Sequence, residues 1–190
     1  MSTVERKPAT IDDLYRVEGK AELVGGEIVH MSPSGFRHSR LIRVILDSLY
    51  QYECESRSGV ALGDPCGFLC DLPNRQSFCP DVSYYTGPIP DDPDAFLPEP
   101  PTFAVKIRSA NDYGPAAEKA MAEKRADYFA AGTLAVWDVD PDGPAIVRLY
   151  LHTQPDNAIT FQKDDIAHAE PVLPGWRFEM KLILNEMRPR

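Results

Sequence analysis

The sequence contains no G-x-S-x-G, G-x-x-x-x-G-K, G-x-G-x-x-G or H-E-x-x-H, so the familiar nucleophile, phosphate-loop, dinucleotide and zinc-protease signatures are absent. His30, His38, His152 and His168 lack metal-ligand spacing and read as surface or packing histidines. Carboxylate and lysine chemistry remains. Asp81 follows Pro80 and opens a short strand on its polar face, shared with Ser83 and Tyr85. Glu22 stands in one arm of a hairpin. Lys106 and Arg108 alternate with Phe103, Val105 and Ile107 on a strand whose other face is fully apolar. Lys124 falls on a helical stripe with Ala117, Ala120, Met121, Tyr128 and Ala131, so it faces the core. Each residue also has an ordinary reading. Lys106 with Arg108 is a solvated pair on a half-buried strand, and Lys124 snorkels from a helix edge. Asp81 ends a turn after proline, Glu22 is a common hairpin residue, and Tyr128 belongs to the core.

The elements that must hold these residues follow from periodicity. Thr102 to Ser109 is a strand, Pro115 to Ala131 a helix closed by Gly132, and Thr133 to Val139 a nearly continuous apolar strand buried on both faces. A strand, helix, strand unit implies two parallel strands joined by a crossover. Upstream, Thr10 caps a short helix, and Ala21–Val24 and Glu27–Met31 form a hairpin about Gly25-Gly26. Leu41, Ile42, Ile45, Leu46, Leu49 and Tyr52 mark an amphipathic helix from about Arg37 to Glu55. Short strands are expected at Val60–Gly63, Gly67–Asp71 and Phe78–Tyr85, and Pro73-Asn74-Arg75 forms a turn. Gly87 to Pro101, crowded with prolines and acids, is an exposed loop. Ala145–Leu151 and Ala158–Gln162 form an added hairpin, before a last apolar segment, Phe178–Leu184.

At 190 residues and 43% hydrophobic content, a single domain with a sizeable core is expected over residues 1–190. No apolar run approaches 18 residues and no secretory leader is recognisable, which predicts a cytoplasmic protein without a membrane span. Cys54, Cys66, Cys70 and Cys79 form no C-x-x-C pair and read as reduced and mostly buried, not as a zinc site. A net charge of -9 argues against a general nucleic-acid coat protein, since non-specific affinity for a polyanion needs Lys and Arg at phosphates. It leaves room for an acidic enzyme with a local basic rim.

Several short motifs in one order carry a resemblance: Glu22-Leu23-Val24-Gly25-Gly26-Glu27-Ile28-Val29, Met31-Ser32-Pro33, His38, Pro80-Asp81-Val82, Lys124 with Tyr128 and Gly132, Val136-Trp137-Asp138-Val139-Asp140-Pro141, and Leu173-Pro174-Gly175. Together, from about Ala21 to Leu184, they resemble the Uma family of restriction endonucleases within the PD-(D/E)XK nuclease superfamily. The resemblance implies an α/β fold with a mixed sheet and a restriction-endonuclease-like core of helix, three strands, helix and strand. To this the hairpin is added at the N-terminal side and further strands at the C-terminal side. It implies a metal-dependent DNA endonuclease that hydrolyses a phosphodiester bond with magnesium or manganese. DNA is the expected partner and a homodimer the expected assembly.

Residue by residue, Asp81 matches the family's metal-binding aspartate, Glu22 a glutamate that can join the site, and Lys124 a lysine moved onto the second helix. The Ile107 carbonyl matches a further metal ligand. The family's second metal-binding acid lies in a Val-Glu-Val strand, and here the strand reads Val105-Lys106-Ile107. A hard divalent cation needs anionic oxygens from adjacent strands, and Lys106 supplies none. Two functions are therefore in play: an endonuclease with an atypical site, in which Asp64 or Asp71 could replace the missing acid, and a nuclease fold that has lost catalysis and acts in DNA binding or protein interaction.

Overall fold

The computed structural model describes residues 7–144 and 146–187. The elements run α1 (Ile11–Tyr15), β1 (Ala21–Val24), β2 (Glu27–His30), α2 (Phe36–Ser56), β3 (Val60–Gly63), β4 (Phe68–Leu72), β5 (Arg75–Phe78), β6 (Val82–Tyr85), β7 (Phe103–Ile107), α3 (Pro115–Ala131), β8 (Ala135–Val139), β9 (Val147–Leu151), β10 (Gln154–Phe161), β11 (Ile166–Ala167), β12 (Phe178–Glu179) and α4 (Lys181–Met187). A six-stranded mixed sheet has the order β10-β9-β8-β7-β6-β3, and a four-stranded sheet the order β2-β1-β5-β4. In the six-stranded sheet β7 and β8 pair in parallel, through a continuous register from Phe103↔Ala135 to Ile107↔Val139, and α3 connects them. The expected order of helix, three strands, helix and strand is α2, β3, β6, β7, α3 and β8.

Local chemistry accounts for most boundaries. Thr10 and Asp13 form a reciprocal capping box on α1, and Gly25 and Gly26 take the positive φ values of 58° and 79° that a two-residue hairpin demands. Along α2, Leu41, Ile45 and Leu49 are fully buried against Val82 and Tyr84 of β6, Phe103, Val105 and Ile107 of β7, and Trp137 of β8. Each of these helix side chains contributes about 1.5–3 kcal/mol of burial. Trp137, Trp176, Phe103 and Phe178 complete this layer, with the two indoles 4.8 Å apart. The opposite face of the sheet packs Ala104, Tyr85 and Val136 against Phe68, Phe78 and Tyr128.

Three sequence expectations need correction, and the last apolar segment, Phe178–Leu184, gains its secondary structure. Phe78–Tyr85 is not one strand: Phe78 ends β5 in the small sheet, Val82 begins β6 in the large one, and Cys79-Pro80-Asp81 crosses between them. Pro80 cannot donate to a ladder, which suits it to a crossing. Arg75 opens β5 instead of closing the turn, and the segment after Phe178 is a two-residue strand followed by α4. Gly87–Pro101 is largely exposed, but Leu97 is buried and bridges Phe68. Of the expected added hairpin, Ala145 lies outside the described residues, while β9 and β10 pair antiparallel.

Candidate active site

Asp81 sits where the chain enters β6, and the register Val82↔Val105 carried one residue further sets it across from Lys106. Its carboxylate finishes the ladder: Oδ2 accepts from the Ile107 N–H at 2.7 Å, and Oδ1 accepts from Lys20 Nζ at 3.1 Å. Lys106 Nζ lies 3.7 Å from Oδ2 and 3.1 Å from Asp112. Lys20 also pairs with Asp64 at 2.6 Å. His38 Nε2 lies 3.4 Å from Asp81 Oδ1, and its Nδ1 has no hydrogen-bond partner among the described residues. Burial alone would raise the Asp81 carboxyl, but His38, Lys106 and Lys20 overcome it and hold the group well below the usual carboxylate range. For Lys20, burial works against the charge and the facing Asp81 and Asp64 outweigh it, so its ammonium is held more firmly than usual.

Glu22, 3% exposed, belongs to a second cluster on the same cleft. Oε1 accepts from the Cys79 N–H and from Lys124 Nζ, both at 2.7 Å, and Oε2 accepts from Arg75 at 2.7 Å. Arg75 in turn donates to Asp127 of α3 at 2.9 Å. One carboxylate thus ties β1, β5 and α3 together. The stripe of α3 predicted to face the core faces this cleft instead. Tyr128 is buried and stacks on Phe78 at 4.1 Å, whereas Ala117, Met121 and Lys124 are half-buried along a cavity of about 490 Å³. Arg108, 6% exposed, frames the far side, with two donors on Asp138 and further bonds to Glu118.

The structure thus brings Glu22, Asp81, Lys106 and Lys124 to one cleft. It turns the N–H of Ile107 to Asp81, where the sequence expectation placed its carbonyl at a metal. Asp64 reaches the cluster through Lys20, whereas Asp71 points to solvent on β4. Sequence reasoning passed over Lys20 and Asp112, placed Arg75 in a turn, and read His38 as a surface or packing histidine although it stands among the motifs of the resemblance. His38 was readable, because it continues the buried Leu41, Ile45, Leu49, Tyr52 stripe of α2 by one turn. Lys20 lies outside any periodic pattern.

These residues do not fit a divalent cation as they stand. Among the described residues no three His, Cys, Asp or Glu side chains converge on one point. Both Asp81 oxygens and both Glu22 oxygens are engaged by N–H groups or cations, and the ammonium of Lys106 faces Asp81 where a second carboxylate would be needed. What the arrangement offers is a buried carboxylate enclosed by lysines beside an apolar cleft.

No helix among the described residues is long and apolar enough to cross a membrane. A comparison with curated proteins gave no match. Among solved structures, four chains match. One of them, described as a putative nuclease belonging to DUF820 from Anabaena variabilis, is similar over 95% of this chain and 100% of its own, with 18% identity and a TM-score of 0.74. That likeness shows a shared mixed α/β nuclease-like fold. Residues 9–181 match the model of the Uma2 family, described as "Putative restriction endonuclease", and the chain belongs to that family.

Proposed function

We propose that this chain is a single-domain, DNA-directed member of the restriction-endonuclease class whose centre is held in a metal-free, non-cleaving state by Lys106. The observation that carries this reading is the Lys106 ammonium, 3.7 Å from Asp81 and 3.1 Å from Asp112. A cation in that position repels a divalent ion and occupies the carboxylates that would bind one. Support for a nucleic-acid partner comes from charge placement. In a chain of net charge -9, Lys20, Arg75, Lys106, Lys124 and Arg125 gather along one cleft beside Glu22, Asp81, Asp112 and Asp138, a small local excess of positive charge, and Arg125 lies over Tyr150 at 3.7 Å. In this reading the cleft cations contact strand phosphates, the apolar wall of Val24, Met31 and Met121 accepts a sugar or base, and affinity falls with salt. The protein acts in the cytoplasm as a homodimer, which sedimentation of the purified chain tests directly.

A second reading, an active metal-dependent endonuclease, draws on the shared cleft of Glu22, Asp81 and Lys124 together with the family match. Its Lys106 would have to leave the centre when metal and DNA arrive. The two readings separate in one experiment. Fluorescence anisotropy with short single- and double-stranded DNA in EDTA measures binding, and plasmid incubation with magnesium or manganese measures cleavage. Salt-sensitive binding without cleavage is expected. Absence of any DNA affinity, or metal-dependent cleavage lost in Asp81→Ala, would overturn the proposal.

A further inference from the structure

The inner stripe of α2, Leu41, Ile45, Leu49 and Tyr52, is buried against the large sheet. On the opposite side of the helix stand Phe36, Arg40, Arg43, Asp47, Tyr50 and Cys54. Phe36 is 78% exposed, Tyr50 is 57% exposed, and Cys54 is exposed as well. The solvent face of an amphipathic helix is ordinarily polar and charged, whereas here two aromatic rings and a thiol stand in one line. The six residues recur at steps of four, three, four, three and four, which is the alternation of a coiled-coil seam. The seam runs along nearly the whole 21-residue helix. It lies across the large sheet from Tyr128 of α3, which packs on the face of Ala104 and Val136, and it shares no residue with the cleft of Glu22, Asp81, Lys106 and Lys124.

The charges along this seam fit a second copy of the same helix. Arg43 and Asp47 stand at its centre, both well exposed, with only a loose pairing of 3.5 Å within the helix. Laid antiparallel about a two-fold axis between them, Arg43 faces the partner's Asp47 and Asp47 faces the partner's Arg43. The same register sets Phe36 against the partner's Cys54 and Tyr50 against the partner's Arg40. Arg40 is held in place by two bonds to Glu186, at 2.6 and 2.8 Å, so its guanidinium plane is fixed for stacking on a ring. No like charges meet. Other arrangements of the seam bring like charges together: a parallel pair sets Arg43 against Arg43, and a shift of the antiparallel pair by seven residues sets Arg40 against Arg43 or against Arg57. A two-fold interface must be complementary to itself, and this stripe is so in one register.

We infer that the outer face of α2 is a homodimer interface, in which two copies of the helix pair antiparallel about a two-fold axis between Arg43 and Asp47. The inference rests on the homodimer reading proposed above and assigns that reading a surface. Pairing on this side of the sheet leaves both clefts open. A single helix pair is small for a protein interface, so the dimer dissociates reversibly in the micromolar range, and Cys54, at the end of the seam, is reachable by reagents whenever the copies separate.

The test is sedimentation velocity of the full chain over a dilution series, without DNA or metal. The parent should sediment as a reversible dimer. Arg43→Asp and Asp47→Arg, each at an exposed site and checked for unchanged circular dichroism, should each weaken the dimer by about tenfold or more. Mixed in equal amounts the two variants should dimerise again, because the two acids of one chain then face the two arginines of the other; a pairing within one helix cannot be restored by mixing. Register is read separately with Phe36→Cys under mild oxidation. Along one helix the new thiol and Cys54 are about 27 Å apart at about 1.5 Å per residue, far beyond disulfide reach, so a peptide linking positions 36 and 54 joins two copies. The parent, whose two Cys54 side chains lie at opposite ends of the seam, should give no linked dimer. A monomeric parent overturns this inference together with the homodimer reading. A dimeric parent whose variants dimerise unchanged, or whose mixed variants stay monomeric, overturns the α2 seam and leaves the dimer to another surface.

Discussion

Lys106→Glu reverses the charge that keeps the Asp81 centre closed, and its consequences can be worked from distances. At 3.7 Å and an effective dielectric near 20, the Lys106–Asp81 pair has a Coulomb energy of about 4.5 kcal/mol. The lysine is 36% exposed, so solvent screening brings its net worth to about 1 kcal/mol. Replacing that attraction, and the one to Asp112, with repulsion should destabilise the metal-free protein by about 1–2 kcal/mol, or about 3–6 °C in Tm. Towards a divalent ion about 4 Å away, the change from +1 to -1 has a ceiling of about 16 kcal/mol, and a quarter of that is about a thousandfold in Kd. The variant should therefore melt lower than the parent in EDTA and recover with magnesium. At a hundred times Kd the ligand contributes about 2.7 kcal/mol, or about 5–10 °C. Differential scanning fluorimetry across a magnesium series measures both effects, and plasmid nicking by the variant, lost again with Asp81→Ala, completes the assay. A folded Lys106→Glu protein whose Tm ignores magnesium and which leaves plasmid intact refutes the reasoning.

Other perturbations separate the buried clusters. Glu22→Ala leaves Arg75 with one carboxylate fewer and strips the Cys79 N–H of its acceptor, and should cost about 3–5 kcal/mol in urea unfolding. Lys124→Ala, at a half-buried partner of the same carboxylate, should cost about 1 kcal/mol or less. Because Asp81 is held below its ordinary range, its stabilising contribution is present above that range and lost as pH falls through it. The Tm difference between the parent and Asp81→Asn should accordingly shrink steadily as pH falls below about 5, and a constant offset would contradict the ion-pair account. Burial pushes the Cys79 thiol up to about 12 and Cys70 to about 11, so brief alkylation at pH 8 should label exposed Cys54 and leave Cys79 unmodified, as read by peptide mass spectrometry.

Period and spacing were enough for most of the elements. The α2 stripe is predicted to within one residue at each end, and the alternation of Phe103, Val105 and Ile107 and the apolar run into Val139 identify the parallel pair. Sheet membership was not readable. Phe78 and Val82 are four residues apart and equally apolar, and the choice of different sheets depends on partners distant in sequence. The same limit applies to the centre. Asp81 and Lys106 could be named because each lies on a strand of predictable face, but Lys20 and Asp112 are set by loops whose paths only tertiary contacts define. The stripe of α3 was identified correctly as a stripe and assigned to the wrong surroundings, since helical periodicity cannot distinguish a packed core from the wall of a cleft.

The crossing at Cys79-Pro80-Asp81 has a kinetic consequence. The hairpins β1–β2 and β4–β5 need only neighbouring residues, and β7, α3 and β8 form one contiguous unit. Asp81, by contrast, reaches its surroundings only when β5 has joined β1 and β6 has inserted between β3 and β7, closures that span tens of residues. The charged centre should therefore assemble after the local hairpins and the β7–α3–β8 unit. In pulsed hydrogen exchange during refolding, the Ile107 amide should gain protection after the amides of Val136 and Trp137.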